Sequence, residues 1–329
     1  MKSKVTLQSP MNIGNVQLKN RLILAPMQQN KGTLQAMPTD YHVKHYRDRA
    51  KHVGLVIIES TGVSANGRLY PNDIGIFTDE HTGPLRRIVE AVHEEHTPIF
   101  IQLTHGGRKA WPEVVDRLVA PSAIAYDDFY GVPEEMTSKD IREAISEFRF
   151  AARRSVQAGF DGIELHLAHG HLLHQFLSPL SNLRSDEYGG SLENRLRIIR
   201  EVVIAIREEV GCAYPLQIRV SASDFAEGGL TPVDVAHALT YLEEFIDAVH
   251  VSAGGTLPVA PLADGAGYQV PYASVIKQYV KVPVIAVGRI HSGQLANFIL
   301  ADELADFIAV GRPMQEDPHF AQKLLQYEE

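Results

Sequence analysis

Residues 162–182 read GIELHLAHGHLLHQFLSPLSN, and this stretch decides both the fold and the place of the site. Its first part alternates apolar and polar side chains, which predicts a buried strand. Three histidines, His166, His169 and His171, then follow within six residues, where Gly170 is expected to end the strand. Imidazole donates and accepts hydrogen bonds and titrates near neutrality. Packing does not require three such side chains at one strand end, so the cluster indicates a functional site.

The composition, with 45% hydrophobic and 22% charged residues in 329, fits a soluble globular protein with a large core. A formal charge of −9 gives no basic excess, so nucleic acid is not an expected partner. Cys212 is the only cysteine, which argues against disulfides, thiolate metal sites and iron–sulfur clusters, and no metal is expected. The chain shows no signal peptide and no apolar run of membrane-spanning length, so a cytoplasmic location without a membrane partner is expected.

Eight short apolar runs, rich in valine, isoleucine and leucine, recur along the chain between amphipathic segments. Their lack of clean polar alternation is typical of parallel strands covered on both faces. Eight strands alternating with helices predict an α/β fold, a (β/α)8 TIM barrel that forms a single domain over residues 1–329. A doubly wound open sheet is the alternative, but no run is followed by the dinucleotide turn G-x-G-x-x-G. The eight runs are 22–27, 54–60, 98–105, 162–169, 216–221, 248–253, 283–288 and 306–311.

Helix patterns and three long connections complete this prediction. The helical segments are 39–51, 83–95, 138–158, 191–210, one that starts at Thr231-Pro232, 292–300 and 319–326. The long connections are 106–137, 170–190 and 222–231, and each follows a predicted strand. In a barrel all three lie at the carboxyl-terminal face, where catalytic residues are placed.

Two strand ends carry a glycine followed by an arginine, Gly288-Arg289 and Gly311-Arg312. The loops after strands seven and eight of this fold commonly bind phosphate, because glycine admits backbone amides and arginine adds charge-assisted hydrogen bonds. Together the two turns predict a phosphate site.

Arg219, within LQIRVSASD, places a guanidinium in the middle of an apolar strand. An unpaired buried charge is costly, so Arg219 requires either Glu164 on the neighbouring strand or an anionic ligand in the barrel mouth. Gln102 offers a donor and an acceptor together, as the edge of an amide-like ring requires. A phosphate site, an arginine, a glutamine and histidines fit a flat, polar-edged, phosphorylated cofactor such as flavin mononucleotide (FMN).

The chain resembles the old yellow enzyme family of FMN-dependent ene-reductases from end to end. Two of the motifs are closer to the bacterial branches, including the barrel portions of dienoyl-CoA reductases. Those larger relatives continue into an iron–sulfur cluster and a second nucleotide domain, whereas this chain is expected to be a stand-alone barrel with FMN only. The motifs that carry the resemblance are LKNRLILAPM (18–27), IQLTHGGRKA (101–110), IELHLAHGHLLHQFLSPLSN (163–182), DEYGGSLENR (186–195), IRVSASD (218–224) and VPVIAVGRI (282–290).

The resemblance implies a role for each matching residue toward FMN. Pro26 and Met27 would lie along the flavin, Gln102 would contact its pyrimidine edge, and Arg219 would sit near N1 and O2. The phosphate would be held by Gly288, Arg289, Gly311 and Arg312. The other implied cofactor positions are Gln28, Ser60, Ser252 and Gly254.

The resemblance also implies the chemistry, in which NADPH or NADH is the hydride donor and an activated alkene is reduced. His166 and His169 would grip a carbonyl or nitro oxygen of a small-molecule substrate, and Asn30 and Lys109 would contact the substrate. His171 stands where the family usually has the tyrosine that protonates the α-carbon, so the proton donor is either His171 or water. Gln28 and Asn30 also differ from bacterial members, which often have Cys or Thr, and in some cases an aromatic residue, at these places.

Two alternative functions stay open at this point. One is a demethylating amine dehydrogenase of the same superfamily, although those enzymes usually have an aromatic cage and an acidic triad. The other is a flavin-binding protein without ene-reductase activity. The resemblance leaves a homo-oligomer open, but the tail LLQYEE lacks the arginine that some bacterial members insert into a neighbour's site.

Overall fold

The structure is a computed structural model that describes residues 5–261 and 264–326. The two ends of the predicted 1–329 domain and the end of LLQYEE therefore lie outside the described residues. Eight parallel strands close into a barrel in which each strand pairs with the next along the chain and the last pairs with the first. This confirms the (β/α)8 TIM barrel and excludes the open sheet. The strands are β1 (Leu22–Leu24), β2 (Leu55–Gly62), β3 (Ile99–Thr104), β4 (Gly162–Leu167), β5 (Leu216–Ser221), β6 (Ala248–Ser252), β7 (Val284–Ala286) and β8 (Phe307–Val310).

Helices connect the strands, and their starts follow the caps in the sequence. Thr137 and Thr231 each form a capping box at the start of a helix, and Gly159 ends one with a left-handed φ of 93°. The helices are α1 (Asp40–Ala50), α2 (Thr82–His93), α3 (Ser138–Ala158), α4 (Leu172–Leu177), α5 (Leu192–Val210), α6 (Pro232–Thr240), α7 (Val270–Lys277), α8 (Gly293–Ala301), α9 (Arg312–Glu316) and α10 (Phe320–Leu325).

Three helices, α4, α7 and α9, were not among the predicted segments. All six residues of α4 are buried, so it has no polar face that periodicity could reveal. Helix α7 is short and mostly apolar. Helix α9 is only five residues long and begins at Arg312, within the predicted Gly311-Arg312 turn.

The amino-terminal half of the barrel interior is apolar. Side chains alternate along a strand, and the inward set forms a cluster separate from the larger one between strands and helices. The antiparallel strands Met11–Ile13 and Val16–Leu18 cover this end, where Ile13 and Leu18 join the cluster. Its members on the barrel strands include Ile23, Leu55, Ile57, Phe100, Ala248, Ile285 and Phe307.

The carboxyl-terminal half of the same interior is polar. The Glu164 carboxylate accepts hydrogen bonds from Gln102 Nε2 (2.7 Å), Gln217 Nε2 (2.6 Å) and His250 Nδ1 (2.8 Å). All four side chains are buried. Burial alone would raise the pKa of Glu164, but His250, Arg219 and the hydrogen bonds together lower it. Glu164 is therefore an ionised carboxylate. It lies at the bottom of this polar layer, next to the apolar half of the barrel interior.

The three long connections lie at the carboxyl-terminal end of the strands, as predicted. The connection after β3 includes a two-residue parallel pairing of Val119–Ala120 with Glu134–Glu135. The connection after β4 contains α4. Among the helices within the described residues, none has the length and apolar character needed to cross a membrane.

Candidate active site

The turn after β4 carries the histidine cluster and is fixed by two left-handed residues. His169 has a φ of +58° and Gly170 a φ of +73°. The turn after β6 packs against it so closely that a Cβ on Gly170 would lie 2.0 Å from the Gly255 carbonyl oxygen. A Cβ on Gly255 would in turn lie 2.5 Å from His169 Cα. Glycine is therefore required on both sides, and the contact sets the position of the histidines.

Serines from β5 and β6 hold His169. The His169 backbone N–H donates to Ser221 Oγ at 2.9 Å, and Ser221 Oγ donates to the Gly254 carbonyl at 2.8 Å. The His169 ring is tied through Nε2 to Ser252 Oγ at 2.7 Å. Ser252, predicted to contact the cofactor, therefore also orients a histidine, while Ser221 was not predicted from the sequence.

The three imidazoles form one cluster. The His166 ring meets the rings of His169 and His171 edge-on, at centroid distances of 5.2 and 4.6 Å. The Ala168 backbone N–H donates to His166 Nδ1, so His166 carries its hydrogen on Nε2. The structure thus brings together the three histidines singled out in the sequence.

Each imidazole in the cluster is neutral near pH 7. Burial lowers the pKa of His166, His169 and His171 well below the usual value near 6.5. The charges of Arg219 and Lys109 lower these pKa values further. A neutral imidazole offers one N–H, so the cluster is a set of hydrogen-bond donors without positive charge. The lowered pKa therefore disfavours the imidazolium form of His171 that a general acid would need.

A buried histidine–aspartate pair supports the turn from beneath. The Gly170 N–H donates to His174 Nδ1 at 2.9 Å, and His174 Nε2 lies 3.0 Å from Asp224 Oδ1. Thr256 Oγ1 donates to the same carboxylate oxygen at 2.8 Å. His174 and Asp224 both lie in quoted motifs, but their pairing joins α4 to the loop after β5 and could not be read from either motif.

A first cavity, the cofactor cavity, lies at the ends of β6, β7 and β8 and has a volume of about 250 Å³. Both predicted glycine–arginine turns line it. A Cβ on Gly311 would lie 2.5 Å from Met27 Sδ, so glycine keeps the wall open there. The predicted site residues that line it are Met27, His169, Arg219, Ser252, Gly288, Arg289, Gly311 and Arg312, joined by Tyr268 and Gln269, which were not predicted.

A second cavity, the aromatic cavity, has a volume of about 400 Å³ and is walled by rings from two loops. Trp111 packs against Tyr70 and Phe129 at centroid distances of 5.7 and 4.8 Å. Tyr130 contacts Phe129 at 5.0 Å and Tyr126 at 5.7 Å. Tyrosine, phenylalanine and tryptophan bury large flat areas and suit planar ligands. The sequence YDDFY (126–130) in a long loop was the signal that could have revealed this wall.

The histidine cluster borders the aromatic cavity through His171, with Lys109 beside it. Both side chains line the cavity, whereas His169 lines the cofactor cavity. Lys109 Nζ donates to the carbonyls of His169 (2.8 Å) and Gly255 (3.2 Å) and lies 4.3 Å from the Tyr126 ring centroid. The histidine turn therefore separates two cavities, and each cavity is bounded by part of the cluster.

Arg219 shows that the cofactor cavity is built for an anionic or carbonyl-rich ligand. Its side chain is 7% exposed, yet its buried Nε has no hydrogen-bond partner within residues 5–261 and 264–326. No Arg219–Glu164 ion pair is found among the described residues, where Glu164 is bonded to three other side chains, so of the two alternatives the ligand is favoured. A buried unpaired guanidinium is costly and fits a ligand that supplies acceptors. The buried amide of Gln28 also lacks a partner in the described part of the chain.

The remaining residues predicted for the site either have other partners in the structure or lie outside the two cavities. Gln102 and Ser60 bond each other at 2.7 Å, and Gln102 also bonds Glu164, so both are committed to the polar layer. Arg289 pairs with Asp264 at 2.8 Å, whereas no ion pair of Arg312 is found among the described residues. Asn30 is exposed and lines neither cavity, and the same two linings do not include Pro26 or Gly254.

Comparisons with known proteins agree with this geometry. Residues 6–328 match the NADH:flavin oxidoreductase / NADH oxidase family. The chain belongs to this family. It is 42% identical to an NADPH dehydrogenase from Clostridium acetobutylicum, over 94% of this chain and 91% of that protein. This confirms the resemblance to the old yellow enzymes.

Two solved structures are similar to this chain. A 2-naphthoyl-CoA reductase in complex with 2-naphthoyl-CoA superposes with a TM-score of 0.93 at 28% identity, over 98% of this chain and 52% of that longer chain. An old yellow enzyme homologue from Zymomonas mobilis gives a TM-score of 0.86 at 28% identity, over 98% and 92%. The protein is therefore an FMN-dependent NAD(P)H oxidoreductase, and the predicted cofactors are confirmed.

The residues of the cofactor cavity fit FMN. Gly288, Gly311 and Arg312 would hold the phosphate, with Arg289 reaching it if it leaves Asp264. The unpaired Arg219 would face the ring, next to Met27. When bound, the cofactor would supply the hydride-transfer chemistry that uses the nicotinamide donor. Among the described residues, no three His, Cys, Asp or Glu side chains converge as metal ligands would.

Proposed function

We propose that this enzyme reduces carbon–carbon double bonds conjugated to a carbonyl or nitro group, in a ping-pong cycle with NADPH or NADH. The observation that carries the proposal is the cluster of neutral histidines between the two cavities. One cavity fits the cofactor, and the other is open to a planar small molecule. A substrate at the boundary would place its polar oxygen against the histidine donors.

His166 and His169 would act on that oxygen as donors. His166 carries its hydrogen on Nε2, because Nδ1 accepts from Ala168. If the Ser252 hydroxyl donates to His169 Nε2, the hydrogen of His169 lies on Nδ1 and is free for the substrate. Negative charge grows on the oxygen as the alkene is reduced. Fixed donors stabilise such charge by ~3 kcal/mol each.

The aromatic cavity bears on the amine dehydrogenase alternative. Five aromatic rings could form a cage for a cationic amine. However, the Lys109 ammonium already lies over the Tyr126 ring, and Arg108 lies 5.9 Å from the same ring centroid. A second cation would be repelled by both. The cavity therefore favours a neutral or anionic planar substrate over an amine.

Anaerobic stopped-flow spectroscopy tests the proposal in two steps. NADPH should bleach the flavin absorbance, and addition of 2-cyclohexenone should restore it rapidly. Bleaching that molecular oxygen reverses but no enone or nitroalkene reverses would support a flavoprotein without ene-reductase activity. Failure to bleach with NADPH or NADH, together with reduction by a secondary or tertiary amine, would support the dehydrogenase.

A further inference from the structure

Lys109 lies at the boundary of the two cavities, where two of its three N–H groups are hydrogen-bonded. An ammonium has three N–H groups, and the His169 and Gly255 carbonyls accept two of them. The third has no acceptor in the described part of the chain. Because Lys109 lines the aromatic cavity beside His171, that N–H is available to a molecule bound there.

The substrate needs a proton that the neighbouring imidazoles do not supply. His171 is neutral near pH 7, and a neutral imidazole gives up its remaining hydrogen only with great difficulty. The phenols on the wall are also weak acids, since burial raises the pKa of Tyr126 and raises that of Tyr130 to about 12. Burial, and after it the charge of Arg108, lower the pKa of Lys109 to about 8, while the charge of Asp127 opposes them.

We propose that Lys109 is the general acid that protonates the substrate at the carbon next to its carbonyl or nitro group. This assignment rests on the proposed ene reduction. After the β-carbon has received a hydride, the electron pair of the former double bond lies on the enolate. The α-carbon then forms a bond to a hydrogen of Lys109 Nζ, and that N–H bond breaks. Lys109 is left neutral and regains its proton from solvent at the rim of the cavity, where Phe129 is 53% exposed.

The groups that face Lys109 determine the expected pH dependence. They are Arg108, Tyr126 and Asp127 from its own loop, and His169 and His171 from the turn after β4. The histidines stay neutral and the tyrosines stay protonated between pH 6.5 and 9.5, so Lys109 is the group expected to titrate. Its acidic form is lost as pH rises through about 8. Reoxidation of the reduced enzyme by 2-cyclohexenone should slow in proportion.

Three variants separate an acid from a cation. Lys109→Met should reduce the reoxidation rate constant about a hundredfold at pH 7 and abolish its fall near pH 8. Lys109→Arg keeps the charge and the carbonyl contacts but does not release its proton in this range, so it should be almost as slow. Lys139→Met, on an exposed residue of α3, is the matched control and should behave as wild type.

Two further readouts show that the variants are folded and bind ligand. FMN content should stay close to wild type in all three, and the loss in the two Lys109 variants should be larger in reoxidation by the enone than in reduction by NADPH. Trp111 is the only tryptophan, so its fluorescence change on adding p-hydroxybenzaldehyde reports occupancy of the aromatic cavity. A wild-type profile that is flat from pH 6.5 to 9.5, or full activity in Lys109→Arg, would overturn the assignment. Absence of enone turnover in wild type would instead overturn the proposed function itself.

Discussion

The two halves of the barrel interior are built from the same strands but stabilised in different ways. In the amino-terminal half, apolar side chains such as Phe100 and Phe307 fill the space and are fully buried. In the carboxyl-terminal half, Glu164 collects three hydrogen bonds, while Arg219 above it keeps a buried nitrogen without a partner. The first half is complete by itself. The second half becomes complete only with a ligand, which is why it is the functional end.

The largest effect is expected from breaking the apolar half. Phe307→Ala removes a fully buried ring from the barrel interior and should lower the free energy of unfolding by about 3–5 kcal/mol. Urea unfolding of the flavin-free protein measures this. Phe298→Ala, at a residue of α8 that is 57% exposed, is the control and should change stability by less than about 0.5 kcal/mol. A loss below about 1 kcal/mol for Phe307→Ala would show that this half is not the stabilising one.

The second largest effect is expected from removing the hydrogen-bond donors of the polar half while the apolar half beneath them stays unchanged. The double substitution His166→Ala, His169→Ala should slow reoxidation by 2-cyclohexenone by about a hundredfold or more, because both donors act on the substrate oxygen. FMN content should stay close to that of wild type. The charge-transfer band with p-hydroxybenzaldehyde should also be lost. Retention of both the band and the rate would remove these histidines from the site.

A smaller effect is expected when the His169 ring is kept but the hydrogen bond that orients it is removed. Ser252→Ala removes the 2.7 Å bond to His169 Nε2, so the ring can rotate and exchange its tautomer. The apparent KM for the enone should rise, and kcat/KM should fall about tenfold, in line with about 1.4 kcal/mol for one lost hydrogen bond. Bleaching of the flavin by NADPH, followed by stopped flow, shows whether the reductive half-reaction of the same variant is affected. If the loss falls entirely on FMN retention, Ser252 is a cofactor contact only.

The smallest effect is expected at His171, where the family usually has tyrosine. Burial, Lys109 and the neighbouring cations lower the pKa of His171, so the ring carries no acidic proton from pH 6 to 9. His171→Phe preserves a planar ring and should change the reoxidation rate by less than about threefold at any pH in that range. A large loss confined to low pH would identify His171 as the acid after all.

Much of the fold could be predicted because its signals are local. Eight apolar runs mark eight strands, and Thr231-Pro232 marks the start of a helix. The bulge in β2 between Ile58 and Ser60 could not be predicted, because it depends on pairing with β3. It changes the inward and outward alternation, so Ser60 bonds Gln102 and Glu59 lies on the other side of the strand, against Tyr46.

The candidate site also combines features that the sequence could predict with contacts that it could not. The histidines and the glycine–arginine turns stand at strand ends and Arg219 lies in the carboxyl-terminal half of β5, so their convergence follows from the barrel alone. The contact of Tyr70 with Trp111 and the bond between His174 and Asp224 join residues far apart in the chain. Such contacts depend on how loops pack over the strand ends, which no single stretch determines. Only the resemblance puts Asn30 at the site, and in the structure Asn30 is exposed.

The central claim is that the polar half of the barrel is completed by its cofactor, and Arg219→Met tests it most directly. The measurement is thermal unfolding of wild type and variant, each without and with saturating FMN. We predict that the flavin-free variant is as stable as wild type or more so, because a buried unpaired charge is removed. Its stabilisation by FMN should be smaller, with a dissociation constant about 10- to 100-fold weaker. A flavin-free variant destabilised by more than about 3 kcal/mol with unchanged FMN affinity would contradict the account.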